Sequence, residues 1–267
     1  MKAKSVAKIN IGLQVLKRRE DGFHNINSVF FPLENLFDEM EFEKSSETSI
    51  KIEPNNISID LHNNLIYKAV AELKDFTKRD DIFVKVQLKK RIPIGAGLGG
   101  GSSNAASTLL SLNELFNLDL SKQQLKEIAL KIGSDVPFFL EGKTALASGR
   151  GEQLQFFEYK PSYSIRLYDT KINISTKWAY EQLKRDSIAI EKVDFKSILL
   201  ESENNRAILK EKLFNDFEEI VFNKQPELAE IKENAYKEGA IYAQMTGSGS
   251  SIFAFFDDGK KEFSLIG

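Results

Sequence analysis

The groups best suited to chemistry lie in one glycine-rich run at residues 93–104, with the sequence PIGAGLGGGSSN. Five of the chain's 16 glycines fall within the seven residues from Gly95 to Gly101. Glycine accepts positive φ, so successive backbone N–H groups can point at one anion. The run lies between a strand pattern and a helix pattern, and the start of a helix adds unpaired N–H donors. We therefore predict a phosphate-binding loop, to which Ser102 or Ser103 could add a hydroxyl for phosphate or Mg²⁺.

Better-known phosphate motifs fit this phosphate loop (residues 93–104) poorly. Gly95, Gly97 and Gly100 match the dinucleotide pattern G-x-G-x-x-G, but a second helix follows where that motif needs a strand ending in an acid. The Walker pattern needs a lysine after the glycines, and none follows here. The protein-kinase landmarks V-A-I-K, H-R-D and D-F-G are absent as well. For the run taken alone, a flexible linker or a tight turn is the alternative.

The overall composition is that of an ordinary globular protein. The chain of 267 residues has 39 acidic and 37 basic side chains, a formal charge of −2 and 42% hydrophobic residues. This balance excludes a disordered chain, a collagen-like chain and a polybasic nucleic-acid binder. Basic residues concentrate at 1–24, with six Lys or Arg against two acids, and at 84–104, with four and no acid. Two basic segments in a near-neutral chain favour a small anionic ligand.

The chain has no cysteine, and its two histidines are His24 and His62. Disulfides, thiolate metal sites and a histidine-rich metal cluster are therefore excluded, and a reducing compartment is favoured. The longest uncharged stretch, residues 92–113, contains five glycines and seven Ser, Thr or Asn residues, so it is unsuited to lipid. We expect a soluble, cytoplasmic protein that binds neither membrane nor nucleic acid.

Hydrophobic periodicity gives the elements that must position the loop. Alternation at residues 8–15 predicts a strand with Lys8 and Asn10 on one face. Ser121 and Gln124 form a capping box that begins the second helix after the loop, and Gly133 is expected to end it in a left-handed conformation. Other strands are predicted at 28–33, 39–43, 49–52, 84–89, 240–245 and 252–256, and other helices from about 64, from about 102, at 176–183, at 215–222 and from 226 to 239.

Further blocks follow one another along the chain: AKIN at 7–10, DGFH at 21–24, NLI at 64–66, GSDVPFF at 133–139 and TGSG at 246–249. Together with the phosphate loop and the alanines after it, they resemble the GHMP kinases, which phosphorylate small metabolites with ATP. The resemblance extends from residue 7 to residue 249. It implies an α+β fold of two domains, with a ligand site in the cleft between them.

The implied N-terminal domain, residues 1–158, is the ribosomal-protein-S5-domain-2-like ATP-binding domain of this family. It has a left-handed crossover where the usual rule predicts a right-handed one. The implied C-terminal domain, residues 159–267, is ferredoxin-like. The boundary falls in a patch of charged and turn-forming residues near Pro161.

The resemblance also implies an activity: transfer of the γ-phosphoryl group of ATP to the 2-hydroxyl of a methylated erythritol carried by a cytidine diphosphate. This is a step of the non-mevalonate route to isoprenoid precursors. Asp135 matches the base that accepts the hydroxyl proton, and Lys8 matches the cation that holds and polarises the reacting group. Taken alone, Asp135 could instead be a helix N-cap, and Lys8 a solvated strand lysine.

Ligand contacts are implied in the same way. For the substrate they are the rings of Phe23 and Tyr180 about the cytosine, polar contacts from His24 and Asn10, and Thr176, Gly247, Ser248 and Gly249. For ATP they are Leu65, Lys90 and the phosphate loop: Pro93, Ile94, Gly95, Ala96, Gly97, Leu98, Gly99, Gly100, Gly101, Ser102, Ser103 and Asn104. Ser103 is the candidate Mg²⁺ ligand.

Several alternatives remain open from sequence. Phe23 replaces the tyrosine usual in the family and could pack in the core, whereas His24 could be a structural histidine. Lys90 could simply flank a strand, and the turn at 246–251 could be a plain hairpin. The chain could also be another GHMP kinase, acting on homoserine, mevalonate or a sugar, or a non-catalytic ATP-binding module. Both a monomer and a homodimer are compatible with the sequence.

Overall fold

The computed structural model describes residues 1–54, 64–183, 191–260 and 262–267. The elements follow one another as β1 (Lys2–Arg18), β2 (His24–Lys44), β3 (Ser49–Glu53), α1 (Leu65–Thr77), β4 (Val84–Lys89), α2 (Gly100–Leu115), α3 (Lys122–Ile132), α4 (Val136–Glu141), β5 (Ala145–Ser148), β6 (Gln153–Phe156), β7 (Ser164–Tyr168), α5 (Thr176–Leu183), α6 (Phe195–Ser202), α7 (Ala207–Lys212), α8 (Glu218–Lys224), α9 (Pro226–Lys237), β8 (Tyr242–Met245), β9 (Ile252–Phe256) and β10 (Phe263–Ile266). The α+β class predicted from the sequence is confirmed.

The chain divides into two compact units, each assembled from separated segments. The first unit contains residues 1–8, 32–94 and 99–142, and the second contains residues 9–31, 95–98 and 143–267. The predicted boundary between residues 158 and 159 stays a prediction.

In the first unit, β4 lies between β3 and the C-terminal half of β2, parallel to β3 and antiparallel to β2. The predicted alternation of β4 is confirmed, because Val84, Val86 and Leu88 are buried. Helices α1, α2, α3 and α4 pack against one another. Asn64 caps α1, with its side chain accepting a hydrogen bond from the Ile66 N–H. The handedness of the crossover stays a prediction.

Two helix boundaries differ from the sequence prediction. Helix α2 begins at Gly100, two residues earlier than expected, after Gly99 in a left-handed conformation with φ of 69°. The predicted capping box of α3 is confirmed, but the predicted left-handed Gly133 is wrong. Its φ is 179°, because the chain leaves α3 in an extended conformation and turns at once toward α4.

Strand β2 is one element where the sequence predicted two short strands, at 28–33 and 39–43. It changes partner along its length, pairing with β5 at residues 28–30 and with β4 at residues 39–44. Pro32 lies between these two paired stretches, so its missing N–H disrupts neither ladder. The gap between the two predicted strands, residues 34–38, contains the polar residues Glu34, Asn35 and Asp38.

The second unit contains a four-stranded sheet in the order β10-β7-β9-β8. Strands β7 and β8 are antiparallel to β9, and β10 is parallel to β7. Helix α5 begins at Thr176 and α9 at Pro226, as predicted, and strand β9 has the predicted bounds. Helix α8 begins at Glu218, three residues late, because the Asn215 side chain donates to the carbonyls of Met245 and Gly247 instead of joining a helix. Within the described ranges, no helix is long and apolar enough to cross a bilayer.

Candidate active site

The phosphate loop has the backbone that its glycines predict. Gly95, Gly97 and Gly99 have φ of 69°, 77° and 69°, a region that other residues rarely adopt. Helix α2 begins directly after Gly99, so the loop leads into a helix N-terminus. Residues 95–98 belong to the second unit and the rest of the loop to the first.

In the second unit, the phosphate loop packs against the glycine turn at residues 246–251. A Cβ on Gly97 would lie 2.2 Å from the Thr246 carbonyl oxygen. A Cβ on Gly247 would lie 3.2 Å from the Gly97 carbonyl oxygen, and the Ser251 N–H donates to the Ala96 carbonyl. The turn joins β8 to β9 as a hairpin would, but its glycines are required for this close approach of two backbones.

In the first unit, Lys8 lies beneath the start of α2. A Cβ on Gly99 would lie 3.2 Å from Lys8 Cγ and 2.8 Å from the Phe139 ring. The Lys8 side chain is 5% exposed, and its Nζ lies 3.7 Å from Asp135 Oδ2. Lys8 is therefore not a solvated strand lysine. The whole of β1 from Ala7 to Val15 is buried, so its polar face points into the protein rather than toward water.

Asp135 occupies the N-cap position of α4, but its side chain makes no capping hydrogen bond. Its backbone is helical, with φ of −84° and ψ of −14°, and its carboxylate is 32% exposed. An N-cap residue normally has an extended backbone and accepts from the helix. Asp135 thus occupies the N-cap position that the alternative interpretation predicted, but its side chain does not cap the helix. The carboxylate faces Lys8 instead.

Burial lowers the pKa of the Lys8 ammonium below its ordinary value of 10.5, and the nearby carboxylate of Asp135 opposes that effect. The charged form is disfavoured because the side chain has lost its hydration. A partly exposed carboxylate beside a buried ammonium can hold a hydroxyl group, accept its proton and offset developing negative charge.

The remaining predicted ATP contacts in the first unit lie close to the loop. Leu65, the first residue of α1, would touch a Cβ placed on Gly101 at 3.5 Å. Ser103 is buried in the first turn of α2, whereas Ile94 is exposed. Lys90 is buried, with its ammonium 2.5 Å from Asp38 Oδ2. Lys90 therefore does more than flank a strand, but its charge is already paired with a carboxylate.

In the second unit, the predicted aromatic residues of the substrate site are not core residues. Phe23 is 52% exposed, and the Arg150 guanidinium lies over its ring at 4.9 Å. The His24 ring stacks on Tyr180 with centroids 5.2 Å apart, and Tyr180 meets Phe217 edge to face. The structure therefore couples His24 with Tyr180 directly, a pairing that the sequence did not predict.

The polar substrate candidates of the second unit are tied to the glycine turn. The Asn10 N–H donates to Thr246 Oγ1, and the Asn10 amide donates to Ser28 Oγ. The hydroxyls of Thr176 and Ser248 share a hydrogen bond of 2.8 Å. Strand β1 and helix α5, distant in sequence, thus place polar groups at one turn, and Ser28 of β2 accepts a hydrogen bond from the Asn10 side chain.

Sequence reasoning missed three residues of these groups: Asp38, Arg150 and Asn215. Asp38 and Asn215 lie in no recognisable motif, and their importance comes from partners at least 30 residues away. Arg150 lies between Gly149 and Gly151 in the turn that joins β5 to β6, and its positive charge between two glycines was the one available signal. Its Nε is buried without a hydrogen-bond partner.

Comparison with known proteins identifies the class to which this fold and site belong. The family model for the N-terminal domain of GHMP kinases matches residues 64–143, and that for their C-terminal domain matches residues 194–264. The chain therefore belongs to the GHMP kinase family. The predicted GHMP kinase fold is confirmed, and the protein is a phosphotransferase that uses ATP on a small molecule.

Relatives that match nearly the whole chain give a more specific comparison than the two family models. The chain is 38% identical to a 4-diphosphocytidyl-2-C-methyl-D-erythritol kinase of Thermoanaerobacter pseudethanolicus, covering 98% of this chain and 89% of the relative. A crystal structure of 4-(cytidine 5'-diphospho)-2C-methyl-D-erythritol kinase has 30% identity and a TM-score of 0.79, covering 96% of this chain and 90% of that one. Homoserine kinase from Cytophaga hutchinsonii has a TM-score of 0.69 at 17% identity, covering 97% and 86%, and shares the fold alone.

We predict that Gly97→Ala damages the protein more than Gly239→Ala. Both glycines have positive φ, of 77° and 95°, so an alanine at either costs about 1–2 kcal/mol of backbone strain. Only Gly97 has a backbone oxygen 2.2 Å from the new Cβ, since nothing lies within 4 Å at Gly239. Gly97→Ala should therefore have a lower free energy of unfolding in urea and a higher KM for ATP than Gly239→Ala. Equal effects of the two substitutions would contradict this account.

We predict that Lys8→Met lowers kcat by about 100-fold or more without lowering the free energy of unfolding. The cation is lost from the reaction, whereas the cost of burying it also disappears, and the exposed Asp135 carboxylate keeps its contact with water. Urea unfolding and steady-state kinetics on the same preparations separate the two effects. A large loss of stability would show that the ion pair is structural.

The same substitution should change how stability depends on pH. Because folding lowers the pKa of Lys8, the folded state binds fewer protons than the unfolded chain at pH values between the folded pKa and 10.5. The free energy of unfolding of the native protein therefore gains a rising contribution across that window. In Lys8→Met this contribution should be missing, which a series of urea unfolding curves from pH 7 upward measures.

Proposed function

We propose that this enzyme transfers the γ-phosphoryl group of ATP to the 2-hydroxyl of 4-diphosphocytidyl-2-C-methyl-D-erythritol, giving the 2-phosphate and ADP in the methylerythritol phosphate pathway. The observation that carries the proposal is the Lys8–Asp135 pair, 3.7 Å apart beside Gly99 of the phosphate loop. The names of the full-length relatives support this substrate.

In the proposed reaction, the hydroxyl oxygen of the substrate attacks the γ-phosphorus of ATP while ADP departs. The proton of the hydroxyl passes to the Asp135 carboxylate as the new bond forms. A tertiary alcohol is a weak nucleophile. A positioned base that removes its proton late in the reaction raises the rate by about 10²–10⁴-fold. The Lys8 ammonium orients the hydroxyl and offsets the developing negative charge.

The loop N–H groups would hold the phosphates of ATP, and the α2 N-terminus would add its partial positive charge. Leu65 and Ile94 would lie beside the adenine. Lys90, also predicted as an ATP contact, has its ammonium in the buried pair with Asp38 and would act on the nucleotide through the loop.

Magnesium would enter this site bound to the phosphates of ATP. In the described parts of the chain, no group of three or more His, Cys, Asp or Glu side chains could hold a metal. Mg²⁺ commonly keeps several waters and takes few protein ligands when phosphates bind it, and the hydroxyl of Ser103 at the helix start fits that role. When bound, the ion would neutralise charge on the transferred group.

In the second unit, the exposed ring of Phe23 and the ring of Tyr180 would stack on the cytosine, with His24 and Asn10 contacting its polar edge. The turn residues Gly247, Ser248 and Gly249, with Thr176 bonded to Ser248, would lie near the diphosphate. Stacking survives the replacement of the family's tyrosine by Phe23. The compartment proposed for the reaction is the bacterial cytoplasm, because it supplies ATP and the cytidine diphosphate substrate.

We predict that purified enzyme releases ADP when given ATP and 4-diphosphocytidyl-2-C-methyl-D-erythritol, and not when given homoserine or mevalonate. Asp135→Asn should lower kcat by about 10²–10⁴-fold in a protein that still folds, because the side chain caps no helix, although some stability is lost with the partner of Lys8. Glu141→Gln, which removes an exposed carboxylate from the same helix α4, serves as the matched control and should keep full activity. A coupled ADP assay measures all of these. Turnover of homoserine, or near-normal turnover by folded Asp135→Asn, would overturn the assignment.

We predict that Phe23→Ala raises the KM for the cytidine substrate by about tenfold, as loss of one base–aromatic contact would. The KM for ATP should stay within about twofold, because Phe23 is not among the ATP contacts. Phe156→Ala removes another exposed phenylalanine, 39% accessible, and is the control for general loss of surface apolar area. Phe23→Tyr should preserve binding. Equal KM values for Phe23→Ala and the native enzyme would remove Phe23 from the substrate site.

A further inference from the structure

A buried carboxylate, Asp38 of β2, connects the two ends of the phosphate loop. Its Oδ1 accepts the N–H groups of Arg91 at 2.8 Å and Ile92 at 2.9 Å, just before the loop. Its Oδ2 accepts hydrogen bonds from Lys90 Nζ at 2.5 Å and from the side-chain amide of Asn104 at 2.9 Å. Asn104 is the last residue of the loop. Asp38 is fully buried, and all of these residues belong to the first unit.

The chemistry of this cluster requires a carboxylate. Four donors converge on two oxygens, so an amide at position 38 would turn a donor of its own toward Lys90 and Asn104. The Lys90 side chain is 5% exposed, and its charge would then be buried without compensation. Lys90 Nζ also lies 3.3 Å from Asn104 Oδ1, which closes a triangle of three side chains.

The start of α2 rests on this cluster. A Cβ on Gly100 would lie 2.9 Å from Lys90 Nζ and 3.0 Å from Ile92 Cγ2, so the helix N-terminus is in contact with the entry segment of the loop. The distance between the entry segment and the first turn of α2 is thus fixed by one buried side chain. That distance sets where the loop N–H groups point, and binding of phosphate depends on donors already held in place.

We propose that Asp38 is a positioning residue for ATP, which holds the phosphate loop in its nucleotide-binding form through its two ends, with Lys90 as its counterion. This inference rests on the proposed function in that ATP binds at the loop. It goes further in assigning the affinity for ATP to a residue that touches no nucleotide, and in giving Lys90 an indirect role.

The test is to measure Asp38→Asn against Glu39→Gln. Glu39 is the neighbouring acid on β2, with an exposed carboxylate paired to Arg91, and its loss should change nothing. Asp38→Asn should raise the KM for ATP by about 10- to 100-fold, with kcat at saturating ATP and the KM for the second substrate within about threefold. Titration with a non-hydrolysable ATP analogue, without second substrate, should show the same loss of affinity. That titration remains informative if the proposed second substrate is wrong.

Two further variants distinguish this role from the alternatives. If Asp38→Asn does not fold, Asn104→Ala removes only the link to the loop exit and should raise the KM for ATP by about threefold to tenfold. Lys90→Met leaves the hydrogen bonds of Asp38 to Arg91, Ile92 and Asn104 in place and should weaken ATP less than Asp38→Asn does. A destabilised but folded Asp38→Asn, or Asn104→Ala, with native affinity for the ATP analogue would overturn the proposal. So would a greater loss in Lys90→Met, which would make Lys90 a direct ligand.

Discussion

A lysine ammonium loses its hydration when it is buried, and two lysines in the described part of the first unit, Lys8 and Lys90, are buried opposite a carboxylate. The pair Lys90–Asp38 is closed, with side-chain exposures of 5% and 0%, and every oxygen of Asp38 is hydrogen-bonded. The pair Lys8–Asp135 is open on one side, because the carboxylate is 32% exposed. One pair can therefore only hold structure, whereas the other can exchange a proton with something outside the protein. The difference in carboxylate exposure separates the two roles, although both pairs lie beside one glycine-rich loop.

The glycines of that loop are required for two different reasons. Gly97 has no room for a side chain, since the Thr246 carbonyl oxygen lies 2.2 Å from the position of a Cβ, and a Cβ on Gly247 would be in tight contact with the Gly97 carbonyl oxygen at 3.2 Å. Gly99 and Gly100 lie over the buried lysines, where a Cβ would meet Lys8 and Phe139 in one case and Lys90 and Ile92 in the other. The glycines whose positive φ values favour anion binding are thus packed against neighbours outside the loop. A glycine linker of the same composition would lack these contacts.

Much of the fold followed from the sequence because it depends on local patterns. The capping box of α3, the alternation of β4 and the start of α9 at Pro226 each follow from a few adjacent residues. The predictions are wrong where contacts between residues far apart in the sequence determine the structure. Strand β2 is one element that pairs with β5 at residues 28–30 and with β4 at residues 39–44, where two strands were predicted. Helix α8 begins late because the Asn215 side chain donates to the carbonyls of Met245 and Gly247. Lys8 taken alone could have been a solvated strand lysine, and it was placed in the site only by resemblance. Asp38 gave no local signal at all, since its donors lie 52 to 66 residues further along the chain.

Asp135 shows how one segment can predict a structural role and yet leave its side chain available for chemistry. The block GSDVP has the composition of a helix start, where an aspartate would ordinarily accept the N–H of the second or third helical residue. In α4 the second helical residue is Pro137, which has no N–H, and the N–H of Val136 donates to the Gly133 carbonyl. One of the two donors that a capping carboxylate would satisfy is therefore absent, and Asp135 makes no capping hydrogen bond. Its partly exposed carboxylate lies beside the Lys8 ammonium instead, where its charge offsets part of the cost of burying that lysine and where it can receive a proton.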